Sequence, residues 1–379
     1  MKLLHIITGL GSGGAEAVLW RLVANDRQSG NQHHAISLTD RGIYADRLEQ
    51  LGVSVHTLNF PRGGLSVRGL AKLFKLIRQI RPDVVQTWMY HADLVGGTVA
   101  RLAGVRAVAW GIRHANLDAE HNSSTTLHVV RLCSWLSGLV PRKIISCSAQ
   151  ATRSHQAAGY RAEKFVQISN GYSTQSFKPD AHGRAMVRAE LGIAENAFVL
   201  GMVARFDAQK DHRNLMSALA QLKRRGLQFK CLLVGAGMDQ ANIALRSWIE
   251  EADIAGNIKL LGPRSDISAI MNALDVHALS SLGEAFPNVL AEAMACGTPC
   301  VTTDVGDAAV IVADCGWVVV PQDPDALADG MIKAHDSFVI GGVAWQARQA
   351  ACRARIVANF ELEQMCEKYR RVWQACIER

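Results

Sequence analysis

Glu284 and Glu292 stand eight positions apart in Glu284-Ala-Phe-Pro-Asn-Val-Leu-Ala-Glu292. Pro287 suits a first helical position, where its missing N–H is not needed, and Gly297 followed by Pro299 supplies a stop. The spacing therefore predicts a helix over Pro287 to Cys296. Its leading N–H groups, from Asn288, Val289 and Leu290, lack intrahelical acceptors and stand at the positive end of the helix dipole, which makes an anion site. Glu284 falls on the loop approaching that site. Glu292 lies one turn further in, about 6 Å along the axis at roughly 1.5 Å per residue. An anion flanked by two carboxylates points to the phosphate ester of a sugar.

Two cations join this set. In Gly201-Met-Val-Ala-Arg205-Phe-Asp-Ala-Gln-Lys210-Asp211, Arg205 and Lys210 follow a strand-like run. At a strand's C-terminal edge they are suited to neutralise a diphosphate, Arg by paired donors and Lys as a mobile point charge. The competing reading is a surface ion pair with Asp207 or Asp211. A diphosphate whose charge grows during reaction is stabilised by such groups without a metal. No His, Cys and Asp cluster has metal-ligand spacing, so no metal and no bound cofactor is expected.

A third element is Gly9-Leu-Gly11-Ser-Gly-Gly14-Ala-Glu16, between a strand and a helix. It fits Gly-x-Gly-x-x-Gly, and Asp40 at the end of the next strand could serve as the ribose acid of a dinucleotide fold. A nicotinamide-dependent oxidoreductase therefore competes. Glycines there equally admit any phosphate, or any closely packed backbone. Against the dehydrogenase, Gly235-Ala-Gly237 lacks a third glycine and the second half offers cations instead.

These residues need a frame of alternating strands and helices. The first series has strands over Leu3–Thr8, His34–Thr39, Ser54–Leu58, Val84–Thr87 and Ala107–Trp110. The second has Phe198–Val203, Phe229–Val234, Ile258–Leu261, Val276–Leu279 and Pro299–Thr303. Each is the pattern of a doubly wound α/β parallel sheet. Turn formers from Ile168 to Pro179 put the boundary at Asn170-Gly171. Two Rossmann-like domains are thus expected, 1–170 and 171–359, facing an interdomain cleft, with ligands beyond the C-terminal strand ends.

Composition narrows the class. The chain has 379 residues, 49% of them hydrophobic, enough for two cores. No run reaches the roughly 18 apolar residues of a membrane span, and Leu127 to Val140 is interrupted by Arg131. The chain opens directly into the strand-like Leu3–Ile7 without an export pattern, and its nine cysteines show no Cys-x-x-Cys pair. Reduced thiols and a cytoplasmic location are expected.

Charge is uneven. Residues 1–170 hold 20 Lys and Arg against 10 Asp and Glu, and 171–379 hold 21 against 24. Over Val67 to Arg81, Arg68, Lys72 and Lys75 recur at helical spacing, with Arg78 or Gln79, opposite Leu70, Leu73, Phe74 and Ile77. This basic amphipathic helix suits either an ordinary solvated face or docking to an anionic membrane or acidic acceptor. No reader motif accompanies the charge, so nucleic acid is not an expected partner.

Gly13-Gly14-Ala15-Glu16, Arg81-Pro82-Asp83-Val84-Val85, Asn170-Gly171, Arg205 with Lys210, and Glu284 to Glu292 extended through Ala293-Met294-Ala295-Cys296-Gly297-Thr298-Pro299 together resemble the family 4 retaining glycosyltransferases of GT-B fold. The likeness spans nearly the whole chain. It departs at Ala285-Phe286-Pro287, where many members have Gly in place of Pro, and at Ser173, where Asp is usual.

The resemblance implies a nucleotide-sugar donor, most often a UDP-sugar, held by the second domain. It places a glycan or lipid-linked acceptor on the first, with Leu117 to Thr126 among the loops that shape its site. Glu284 would contact donor hydroxyls and Glu292 the ribose. Arg205 and Lys210 would hold the diphosphate, with the backbone of Gly13, Gly14, Val289 and Leu290. Phe286, Pro287 and Asn288 would complete the donor loop, and Pro263 with Arg264 would meet the base. His114 matches the family's histidine near the sugar. Phe360 to Arg379 would form a helix packed on the first domain. A GT-B epimerase, or another enzyme that transfers no sugar, shares the same pattern.

Overall fold

Leu3, Leu4, Ile6 and Ile7 have no exposed surface in β1 (Lys2–Ile7), and the apolar runs of the central strands are buried likewise. Such runs belong in a parallel sheet covered on both faces. The computed structural model describes residues 1–11, 13–61, 64, 66–118 and 122–378. Ser12 in the glycine loop, Ala119, Glu120 and His121 in the expected acceptor loop, and Arg379 in the closing helix lie outside the described residues.

The chain divides into two compact units. The first comprises Met1–Gly171 and Leu362–Arg379. Its sheet contains β1, β2 (Gln32–Ser37), β3 (Ser54–Thr57), β4 (Val84–Trp88), β5 (Val108–Ile112), β6 (Lys143–Ser146) and β7 (Phe165–Gln167). All pair in parallel, in the order β3-β2-β1-β4-β5-β6-β7.

The second unit, Tyr172–Glu361, holds β8 (Val199–Val203), β9 (Lys230–Val234), β10 (Ile258–Gly262), β11 (Val276–Leu279), β12 (Cys300–Thr303) and β13 (Trp317–Val319). The order β10-β9-β8-β11-β12-β13 repeats the first sheet's reversal beside its opening strand. Both are doubly wound α/β sheets with a switch point, as the alternation predicts. Three strands were not expected: β6, β7 and β13, of four, three and three residues.

A helix over Leu362–Ile377 belongs to the first unit. Met365, Tyr369, Val372 and Trp373, at helical spacing, enter the core that holds Leu3, Leu19 and Trp88. Asp26 anchors it, accepting from Arg370 Nε at 2.7 Å, His33 Nε2 at 3.0 Å and Asn31 Nδ2 at 2.8 Å. Burial alone would push the Asp26 carboxyl up, but the bonds from His33, Asn31 and Arg370 outweigh it and hold the group at about 2.

The basic helix runs Val67–Ile80, with the Ser66 hydroxyl capping the Gly69 N–H at 3.3 Å. Gly69, Leu73 and Ile77 form its buried seam. Phe74, expected inward, is 42% exposed, because the seam follows the four-residue row through Leu73 and leaves its neighbour outside. Gly69 permits the packing: a Cβ there would stand 2.0 Å from the Phe60 ring. Among the described residues no helix is long and apolar enough to cross a membrane.

Candidate active site

In the second unit, the loops that follow β8, β9, β11 and β12 lie at the C-terminal edge of the sheet and interlock through backbone contacts. Gly235, at φ 141°, passes so close to Ala204 that a Cβ would stand 2.0 Å from its carbonyl oxygen, and the Phe206 N–H reaches the Ala236 carbonyl at 2.7 Å. The Leu282 N–H donates to the Gln209 carbonyl at 2.7 Å, and the Ser280 hydroxyl lies 2.8 Å from the Lys210 carbonyl. Gly306, at φ 58°, comes within 2.4 Å of the Glu284 carbonyl by the same measure. Lys210 and Glu284 are therefore set by three loops before any ligand arrives.

Lys210 Nζ donates to Glu284 Oε1, and the Ser281 hydroxyl donates to the same oxygen at 2.8 Å. The two side chains are 20% and 13% exposed. Arg205 Nε meets Asp207 Oδ2 at 3.1 Å, the ion pair foreseen as the competing reading, with the arginine side chain 59% exposed. Burial pushes the Asp207 carboxyl up, but the Gln209 N–H and Arg205 outweigh it and the group titrates low. Around Lys210 the neighbouring imidazoles are kept neutral. Burial first, and Lys210 second, lower His212 to about 4 and His277 to about 3.

The glutamate helix runs Asn288–Ala295, with Cys296 as its C-cap and Gly297 at φ 83° beyond. Pro287 sits one position earlier than predicted, as the N-cap, with an extended ψ of 98°. Its carbonyl accepts the Leu290 N–H at 3.2 Å, so Leu290 does not belong to the expected set of unbonded donors. Glu292 is 7% exposed.

Two further expectations need correction. Phe286 is 6% exposed and stacked on Tyr172, centroids 6.5 Å apart, with the Phe360 ring edge-on at 5.6 Å. Its side chain supports the loop from beneath instead of facing a donor. The Tyr172 hydroxyl donates to Asn288 Oδ1, which turns that side chain to the same structural use. Arg264 is held by two carboxylates, Glu190 at 2.6 and 3.0 Å and Asp266 at 2.8 and 2.7 Å, which take four of its five N–H donors. Pro263 beside it is exposed.

In the first unit Gly13 is the N-cap of the helix Gly14–Asp26, in extended backbone at φ −103°. A Cβ there would come 2.3 Å from the Glu16 carboxylate, so this position accepts no side chain without moving Glu16. His114 follows β5, half-buried, and contributes to lowering the nearby His155, which burial brings to about 4.

Two groups here were missed by the sequence reading. Arg113 donates to Asn170 Oδ1 at 2.6 Å and to the Tyr369 hydroxyl, and lies 4.7 Å over the Trp88 ring. Asp93 is fully buried; its Oδ1 accepts from the Thr87 hydroxyl at 2.5 Å and the Gly111 N–H at 3.2 Å, while Oδ2 has no partner. Burial raises it to about 8. A residue following a strand end was the only signal for Arg113, and a lone acid in an apolar stretch the only one for Asp93.

Residues 12–176 match the model of Glycosyltransferase Family 4, and residues 184–337 that of Glycosyl transferases group 1. The chain belongs to glycosyltransferase family 4. This family 4 chain is 24% identical over 306 residues to the UDP-Gal:alpha-D-GlcNAc-diphosphoundecaprenol alpha-1,3-galactosyltransferase of Escherichia coli, covering 80% of this chain and 78% of the relative. It is 29% identical over 240 residues to the D-inositol 3-phosphate glycosyltransferase of Corynebacterium urealyticum, covering 60% and 56%. The Anabaena protein Alr3699/HepE, solved in complex with UDP-glucose, matches with a TM-score of 0.85 at 26% identity, over 99% of this chain and 100% of the other. Family 4 membership and the GT-B fold set aside the nicotinamide reading of the glycine loop.

Proposed function

We propose that this family 4 chain is a retaining glycosyltransferase that moves a sugar from a UDP-sugar to a glycan or lipid-linked acceptor during cell-surface polysaccharide assembly. The observation that carries the reading is the Lys210–Glu284 pair, a cation for phosphate beside a carboxylate for sugar hydroxyls, fixed by interlocked loops. The second domain holds the donor and the first the acceptor, with His114 and the Gly13-Gly14 turn as the first domain's contributions. The UDP-galactose and UDP-glucose of the relatives' names support the choice of base.

In this reading Lys210 transfers its hydrogen bond from Glu284 to a diphosphate oxygen, joined by Arg205 and by the Val289 N–H. The bond between the sugar's anomeric carbon and the diphosphate oxygen breaks, its electron pair leaving with UDP. The acceptor oxygen forms the new bond from the same face, and its proton passes to the departing phosphate oxygen. Glu284 steadies the sugar through its hydroxyls, and Glu292 meets the ribose. Positive side chains carry the growing charge, so no metal is required.

The exposed Arg68, Lys72 and Lys75 beside Val67 and Phe74 suit contact with an anionic membrane, consistent with a peripheral enzyme on its cytoplasmic face. The test is a thermal-shift screen of UDP-, GDP-, ADP- and dTDP-sugars followed by product analysis. A UDP-sugar hit that yields a glycoside supports the proposal. A hit converted only to an isomeric nucleotide sugar makes the chain an epimerase, and stabilisation by other bases alone removes UDP.

A further inference from the structure

At the opposite edge of the first sheet, a cavity of about 600 Å³ is bounded by the segments entering β4, β5 and β6 and by the end of the closing helix. Arg78, Arg81, Arg106 and Arg142 line it, with Asp83 as the single acid among the lining residues. These segments precede their strands, whereas the glycine loop and His114 follow theirs, so the cavity lies at the other edge of the sheet from those two.

What distinguishes these four arginines is that they share one concavity with a single acid. Arg41, Arg184, Arg188, Arg225, Arg264 and Arg370 each meet an Asp or Glu. Among the described residues Arg78, Arg81 and Arg106 meet none, and Arg142 donates only to the Glu378 carbonyl at 2.7 Å. Asp83 already accepts the Lys2 N–H at 2.7 Å. Arg81 holds a left-handed conformation, φ 51°, as the C-cap of its helix. Four guanidiniums around one concavity raise one another's free energy, and low-dielectric walls concentrate their field. An anion with several adjacent charges relieves this, and guanidinium forks fit phosphate oxygens in pairs. The volume lies within the range of small-molecule sites.

We propose that this cavity is a second anion site, specific for di- or triphosphate-type groups, whether in a soluble compound or as clustered lipid phosphates. Calorimetric titration of the full chain with tripolyphosphate is the test, in wild type, Arg78→Gln/Arg106→Gln, Arg78→Lys/Arg106→Lys and Arg205→Gln/Lys210→Gln. Neither Arg78 nor Arg106 has a side-chain partner, and their removal relieves repulsion, so the Gln pair should melt no lower than the wild type.

The expected result is binding weakened at least about tenfold by the Gln pair, partly kept by the Lys pair, and retained by the Arg205/Lys210 variant. Equal binding in wild type and the Gln pair overturns the site. So does loss only in Arg205→Gln/Lys210→Gln, which would assign the phosphate to the donor loops. Flotation with phosphatidylglycerol vesicles, compared with phosphatidylcholine, separates the sources. Loss of flotation in the Gln pair assigns the site to lipid phosphate, and titration without flotation assigns it to a soluble anion.

Discussion

Lys210 Nζ is hydrogen-bonded to Glu284 Oε1 across 74 residues of chain. Each side chain satisfies the other's charge in a partly enclosed place, and each is the group that the proposed reaction turns towards a different part of the donor. The pair thus keeps two charges hydrogen-bonded in the free protein that, in the proposed reaction, the donor separates.

Lys210→Ala removes the cation aimed at the diphosphate and leaves Glu284 without its partner. A charge-assisted hydrogen bond contributes about 1.5–3 kcal/mol, so affinity for UDP should fall by roughly 10- to 100-fold in calorimetry. Unchanged affinity would separate Lys210 from the diphosphate.

Phe286→Ala opens a gap between Tyr172 and Phe360 under the donor loop. A large-to-small change in an enclosed aromatic contact costs about 3–5 kcal/mol, so denaturant unfolding of the second domain should shift to lower concentration. Full stability with weakened UDP binding would show that Phe286 contacts the nucleotide after all.

Asp93→Asn tests a buried acid. Burial raises the folded carboxyl to about 8 from its ordinary value of 3.8, so the native state binds the extra proton and wild-type stability falls as pH rises from about 4 to about 8. The amide keeps acceptors for Thr87 and Gly111 but carries no proton to lose. Melting curves should show the variant gaining on wild type between pH 5 and pH 9, and parallel curves would contradict the assignment.

The basic helix gives a membrane prediction. Arg68→Gln/Lys72→Gln/Lys75→Gln should reduce flotation of the enzyme with anionic vesicles at low salt. Lys72 Nζ also reaches the Thr57 carbonyl at 2.9 Å, so Lys72→Gln alone should cost some stability and less flotation than the triple variant. Absence of wild-type flotation would remove the membrane contact.

Much of the frame was legible because buried parallel strands are written as apolar runs, and both sheets follow them. Strands β6, β7 and β13 were not, since their place is set by neighbours already in the sheet. At the site, residue type and spacing pointed to Lys210, Glu284 and the helix start. Spacing could not show that Glu190 joins Asp266 in holding Arg264, or that Phe286 faces Tyr172, because Glu190 and Tyr172 lie 74 and 114 positions away in the chain. Arg113 and Asp93 act through Asn170 and Gly111, contacts that only the folded sheet creates.

Glu284→Ala tests the central claim most directly, measured as sugar transfer from the UDP-sugar found by the thermal-shift screen together with calorimetric affinity for UDP. Loss of a carboxylate that steadies the reacting sugar should lower transfer by about 100- to 1,000-fold. UDP affinity should be kept or rise, because Lys210 is released from its partner. Near-normal turnover, or loss of UDP binding in step with transfer, would contradict the account.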